Sequence, residues 1–443
     1  MASTYLTRTI SSGADVTAFT ISVWVKRSGL GSTQRIFSND TTDSKDMYFR
    51  FGGDDTIQCY HRRTDSENVF SCNTNAVFRD TSGWYHIVMT VDSTESTASD
   101  RFKLYVNGVS QTFSGTPTYP DASEICNFLN SGEKNDIGYY RTGSSEYFDG
   151  SMSHFHLIQG TAYQASTFGS TDSATGEWKI NPSPSVTYGA NGFFILKDGN
   201  SVTDQSGNSN NFTVGGGTLT NTEDNPSHIF ATWYADSFDK GNQVSFSNGN
   251  TTTADAGGTS DYDPKAWTTL AANAGKYYCE MKLTAFTTNR SYRAGVWFTE
   301  GNFSSESNNN SFSGVKYTTT GNGVTIRSFG SDVQSGLTSF SAGDILGVAV
   351  DIDNGTIQYY RNGSTYGSQI TGLSSNFSGK SMMFCHTGEA GAGRTFTVDA
   401  NFGNGYFGTT AISSEGTNAS GIGKFEYDVP TGFTALSTKG LNE

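Results

Sequence analysis

The stretch from Asp344 to Gly363, DILGVAVDIDNGTIQYYRNG, admits few structures. Two strand-like runs flank Asn354-Gly355, a pair that tolerates the positive φ required at both centres of a type I′ turn. With the reversal there, Ile352 faces Ile357, Val350 faces Tyr359 and Val348 faces Arg361. Leu346, Val348, Val350 and Ile352 then share a core face. Gly347, Ala349, Asp351 and Asp353 share a face that is small or wet, the alternation of an antiparallel sheet. A second hairpin, RFKLYVNGVSQTF, spans Arg101 to Phe113. Its Asn107-Gly108 turn sets Val106 against Val109 and Phe102 against Phe113. Each half of the chain thus carries its own hairpin.

The rest of the composition agrees with sheets. Charged residues are 16% of the 443 residues, against a usual ~25%, and Ser, Thr, Asn and Gly fill the gap, as turns and strand faces prefer. Aromatics at 13% exclude a disordered chain. A net charge of −14 opposes binding to nucleic acid or to an anionic bilayer. The one tight basic cluster, His61-Arg62-Arg63, is followed by Asp65 and Glu67 and reads as a solvated hairpin edge. MASTYLTRTI lacks the apolar core of a secretion signal, and no run approaches the ~18 residues of a membrane span. Cys59, Cys72, Cys126, Cys279 and Cys385 form an odd set without CxxC, expected as thiols made in a reducing compartment. Cys59 and Cys72 could meet across a hairpin; the spacing leaves their pairing open. Sequons such as Asn211-Phe-Thr213 and Asn376-Phe-Ser378 follow from composition.

Strand patterns begin at once. Phe19, Ile21, Val23 and Val25 fall on one face of AFTISVWVK, and Tyr85, Ile87, Met89 and Val91 on one face of GWYHIVMTVDS. DMYFRFGG and IQCYHRR are further short strands. The expected class is all-β, with two antiparallel, jelly-roll-like β-sandwich domains at 1–178 and 239–443. Between them, 179–238 reads as a connector packed on the first domain, because Phe193, Phe194, Ile195 and Leu196 need burial. The single helical candidate is DPKAWTTLAANAGK, with Asp263 as N-cap, Pro264 in the first turn, Trp267, Leu270, Ala271 and Ala274 at helical spacing, and Gly275 as stop.

YLTRTISS, FTISVWVKRS, FRDTSGWYHIVMTVDST, DRFKLYVNG, YFDGSMSHFHLIQG and FGSTDSATGEWK make the first half resemble a laminin-G or concanavalin A-like sandwich of tailed-phage virion proteins. YGANGFFILKDG with DQSGNSNNF is similar to those proteins too. GKYYCEMKL, AGVWF, GDILGVAVDIDNGTIQYYRNG, the Asn401–Gly403 NFG and VPTGFTAL make the second half resemble a SPRY domain. The resemblance implies a bacteriophage virion protein made in the host cytoplasm, and it carries over no functional residue. The leading expectation is a non-enzymatic tail-fibre or host-recognition component. It would be a symmetric homo-oligomer, for instance a trimer, in contact with other virion proteins and a host-surface glycan, without nucleic acid, membrane insertion or cofactor. Tyr5 to Ile10 leads directly into the first domain, which keeps a capsid decoration protein as the alternative. A polysaccharide depolymerase is the third reading.

Candidate chemistry is sparse. Glucanases of concanavalin A-like fold resemble one another in a Glu-x-Asp-x-(x)-Glu strand, and Glu426-Tyr427-Asp428 runs into Val429-Pro430 without the second Glu. His154 and His156 lie two apart on a strand and could offer neutral imidazoles to a metal, but Met152 shares that face and no third ligand is evident. Asp351, Asp353 and Asn354 have the look of a calcium loop, with Gly355 one place early and no closing Glu. Gly388 to Arg394 is glycine-rich without GK[ST], hence a loop.

Overall fold

A computed structural model of the chain describes residues 3–42, 45–64, 67–197, 202–234, 244–255, 265–286, 291–299, 311–318, 324–388 and 395–442. It divides into two compact units, Met1–Asn221 and Thr222–Glu443. Both are antiparallel β-sandwiches, the class expected from the alternating runs. The stretch 179–238 is shared as far as Tyr234. Phe193–Ile195 pairs with Gly150–Gln159, and Thr213–Gly216 with Tyr5–Thr9, in the first unit. Phe230 bridges Ser437, and Trp233 bridges Thr268, in the second.

The first unit packs a seven-stranded sheet on a six-stranded one. Phe19, Ile21, Val23 and Val25 of Ala18–Arg27 and Ile87, Met89 and Val91 of Tyr85–Asp92 meet Phe37, Phe49, Phe51 and Phe70 of the facing sheet in one core. The Asn107-Gly108 turn has positive φ at both centres, +48° and +76°, and pairs Val106 with Val109. Phe113 leaves that hairpin to bridge Thr74 of the other sheet, yet its ring still meets Phe102 at 5.6 Å. Ala18–Arg27 is buried on both sides. Its outer face lies under the segment 163–194, where Phe168, Trp178 and Tyr188 pack on Val88 and Ile158. That segment is pinned by DQSGNSNN. Asp204 accepts the N–H groups of Phe194, Ser206 and Asn210, while Asn208 and Asn210 donate to the carbonyls of Gly189, Ala190 and Gly192.

In the second unit an eight-stranded sheet faces a six-stranded one. The hairpin of Ile345–Asp351 and Thr356–Arg361 is shifted by two residues from expectation. Val350 pairs with Ile357, Val348 with Tyr359, and Asp351 with Thr356. The loop is therefore Ile352–Gly355, and only Gly355 has positive φ, +62°. The Asp351 carboxylate causes this, accepting the Asn354 N–H at 2.9 Å and its amide Nδ2 at 2.8 Å, which closes the longer turn. A slip of two preserves the faces, so Leu346, Val348, Val350 and Ile352 still enter the core. The type I′ geometry belongs instead to Asn362-Gly363, with φ of +47° and +76°, between Arg361 and Ser364.

Two other expectations are corrected. The face holding Gly347 and Ala349 is dry, because the strap 412–436 lays Ile422, Phe425 and Val429 over Ala349 and Tyr278. And the helix is absent over 265–275; Asp263 and Pro264 lie outside the described residues. Lys265–Trp267 is a strand paired with Ser381–Gly388, Thr268 bridges Trp233 and Ala272 bridges Met382. So short a periodic run has little helical stability of its own in water, and cross-strand pairing prevails. Gly275 keeps its turn role at φ +93°.

Candidate binding face

With one face of the first unit's six-stranded sheet covered, the outer face of its seven-stranded sheet is the open one. Alternation decides what it shows. Met47, Phe49 and Phe51 of Lys45–Phe51 point into the core, as do Ile57, Cys59 and His61 of Thr56–Thr64. Tyr48, Arg50, Gln58 and Tyr60 therefore point out. Register aligns them in two rows: Tyr48 opposite Tyr60 opposite Ser71, and Arg35 opposite Arg50 opposite Gln58 opposite Asn73.

The rows form a column of planar groups. Arg35 lies between the rings of Tyr140 and Tyr48, 4.3 Å and 4.2 Å away, and Arg50 is 4.3 Å from Tyr48. Tyr48 and Tyr60 stack at 5.1 Å. Each cation–π contact contributes about 0.5–2 kcal/mol, more where desolvated. Glu146 neutralises part of the column, accepting from Arg35 Nε at 2.6 Å and Arg50 Nη1 at 3.1 Å. Arg50 Nε also donates to Gln58 Oε1 at 3.0 Å, and the Tyr60 hydroxyl to Asn68 Oδ1 at 2.8 Å. Burial raises the Tyr48 phenol against the pull of both arginines, so it stays a neutral hydroxyl. Tyr60 ends the column partly exposed; Ser71, next in its row, is too small to cover the ring.

The candidates from sequence lie elsewhere. His154 and His156 do share the outer face of the six-stranded sheet. A bulge between Ser153 and His156, with His154 at φ +48°, turns Met152 to the core instead. His156 shares a 2.9 Å hydrogen bond with the Tyr188 hydroxyl and stacks on Phe194 at 3.9 Å; burial holds it well below its ordinary pKa. Ser153 Oγ meets His154 Nδ1 at 2.7 Å. Among the described residues no three His, Cys, Asp or Glu side chains are grouped to hold a metal. Asp351 pairs with Lys276 at 2.9 Å, and Asp353 accepts the Gly275 N–H. Both acids are therefore turn anchors. Glu426 accepts from the backbone and hydroxyl of Ser413, and Asp428 from those of Thr417, so these carboxylates close loops. Gly388–Arg394 extends beyond the described residues after Gly388.

One buried pair imitates a hydrolytic dyad. Ser22 Oγ lies 2.9 Å from His86 Nε2, but Trp178 donates its indole N–H to His86 Nδ1 at 2.9 Å. Nδ1 is thus the acceptor and Nε2 carries the proton toward Ser22, the wrong tautomer for a general base. Cys59 and Cys72 stand directly opposite each other as free, buried thiols.

No motif marks the open face. DMYFRF and IQCYHRR read as strands whose outward positions spell the tyrosines and polar partners, whereas the loop carrying Tyr140 and Glu146 has no such signal.

No curated protein matches this chain. Among solved structures, a native heptameric SAP-like pentraxin from Limulus polyphemus is 16% identical over 36% of this chain and 71% of its own, with a TM-score of 0.27. The SPRY domain of human HERC1 is 16% identical over 35% of this chain and 91% of its own, at 0.28. The TRIM65 PSpry domain is 16% identical over 38% of this chain and 88% of its own, at 0.28. Residues 2–167 match the Laminin_G_3 family model of the concanavalin A-like lectin/glucanases superfamily.

Proposed function

We propose that the protein is a non-enzymatic recognition component of a tailed-phage virion, binding an uncharged host-surface glycan through the Tyr48–Tyr60 face. The observation that carries this reading is the partly exposed Tyr60 ring ending a stacked column, with Gln58, Asn68 and Asn73 around it. A pyranose stacks its C–H face on such a ring while amides read its hydroxyls. Because Glu146 takes both Arg35 and Arg50 and Asp46 lies 3.8 Å from Arg35, two acids balance the two arginines and the face favours a neutral sugar over a charged one. The lectin/glucanase family match over residues 2–167 supports a carbohydrate ligand. The resemblance of the first half and of the YGANGFFILKDG stretch to phage proteins supports the virion, where many copies multiply a weak single-site affinity.

A glycan array and host-cell binding with the purified protein test the reading. Binding should be lost in Tyr60→Ala, persist in Tyr60→Phe, and depend little on salt. Equal binding by Tyr60→Ala would remove this face from the function. Location at the tail tip in a particle reconstruction supports the recognition role, and location on the shell replaces it with decoration.

A further inference from the structure

The interior of the first sandwich has a polar corner where the first strand pairs with Lys134–Ile137. Leu6 pairs with Ile137, both in the core, and two residues along the same inward face Arg8 pairs with Asn135. Arg8 is 8% exposed. It donates from Nη1 to the Asn191 carbonyl at 3.0 Å and from Nη2 to the Asn191 Oδ1 at 3.4 Å, and lies 5.8 Å from the Phe193 ring. It makes no ion pair at contact distance among the described residues. Asp204 acts on it from farther off, but its oxygens already accept from Phe194, Ser206 and Asn210. Burial lowers the Arg8 pKa to about 10, the mark of a charge drawn from water without full compensation. Asn135 is completely buried, and neither its Nδ2 nor its Oδ1 has a hydrogen-bond partner in the protein. Folded proteins seldom leave a buried amide so.

We propose that Arg8 and Asn135 form an internal site for a small monovalent anion of halide size. Arg8 supplies the compensating charge and Asn135 Nδ2 a converging donor; a water entering with the anion donates to Asn135 Oδ1. Leu6, Ile137 and Phe193 line the apolar side, which disfavours a strongly hydrated dianion. The anion would tie Tyr5–Thr9 to Lys134–Ile137 and to the Asn191 loop.

The test uses the full chain in sodium bromide against sodium gluconate at equal ionic strength. Crystals grown in bromide should show an anomalous peak between Arg8 and Asn135. Bromide should raise the unfolding midpoint of the first unit by about 2–4 °C through mass action. Asn135→Asp places a carboxylate beside Arg8 and should abolish both effects. Midpoints indifferent to the anion, ordered water alone at the site, or bromide dependence unchanged in Asn135→Asp would each overturn the proposal; the diffraction result does not depend on the variant folding.

Discussion

Trp178 donates its indole N–H to Nδ1 of His86 across 2.9 Å. Protonation of that nitrogen abolishes the acceptor, and burial lowers the His86 pKa to about 3. His61 and His386 are lowered likewise, to about 4 and about 3. With unfolded values near 6.5, the unfolded chain binds more protons between about pH 6.5 and 3. The histidines' contribution is therefore fully present above about pH 6.5 and lost as pH falls, at up to about 1.4 kcal/mol per unit for each. Denaturant titrations from pH 8 to 4 that follow the first unit, which holds His61 and His86, should show this, and a flat profile there would contradict it.

Glu280 acts in the opposite sense. Completely buried, it accepts the N–H groups of Glu426 and Tyr427 at 2.9 Å and so fastens the strap to the sheet. Burial raises its pKa to about 7, and these bonds hold it from rising further. The folded unit keeps a proton that the unfolded chain has lost. The group's contribution is full below about pH 4.5 and declines by roughly 3 kcal/mol as pH rises through 7. Glu280→Gln should remove this pH dependence, gaining on the wild type at pH 8 relative to pH 5. A parallel offset at both pH values would count against the assignment.

Arg35 is 2% exposed and relies on Glu146 at 2.6 Å. Glu146→Gln should destabilise the first unit by about 2–4 kcal/mol, since it leaves this buried cation only the longer 3.8 Å contact with Asp46. Replacing Arg35 and Glu146 together by Leu should recover much of that loss. Equal losses in single and double variants, measured by urea unfolding, would show that the pair is not coupled.

The Asn354-Gly355 and Asn362-Gly363 turns should respond differently. Asn354 needs no positive φ, so Asn354→Ala should lose only about 1 kcal/mol from its bonds to Asp351. Asn362 sits at φ +47°, accepts the Ile345 N–H and donates to Asp344; Asn362→Ala should lose about 2 kcal/mol or more. Gly355→Ala meets both a φ of +62° and the backbone of Ser374. It should be the most damaging of the three, and the reverse order in thermal unfolding would refute this account.

All five thiols are buried, and burial raises the Cys72 pKa to about 12. An aromatic disulfide reagent should find no fast thiol in the native protein and five after unfolding.

Alternation made the sandwiches readable. Phe19 to Val25 and Leu346 to Ile352 announce their core faces through period two, which survives a two-residue slip of the loop. What period two cannot say is whether the opposite face is wet. Ser22 and Gly347 look like solvent positions, yet both are covered by chain from more than sixty residues away, at Trp178 and Phe425. The loop register failed for a related reason, because a side chain outside the Asn-Gly pair, Asp351, set the turn. The binding face was half readable: Tyr48 and Tyr60 follow from the strands, but Tyr140 and Glu146 arrive on an irregular loop. Arg8 and Asn135 are invisible in the sequence because long-range pairing of two strands alone brings them together.

The strap over Ala349 and Tyr278 also sets a timetable. A ribosome delivers every strand of the second unit's large sheet except Thr434–Ala435 before it delivers residues 412–436. A nascent chain at that stage bares an apolar sheet face and a carboxyl group without its amide donors, a natural client for a holdase. Synthesis slowed just before Ile422 should therefore leave the second unit, and not the first, open to aggregation.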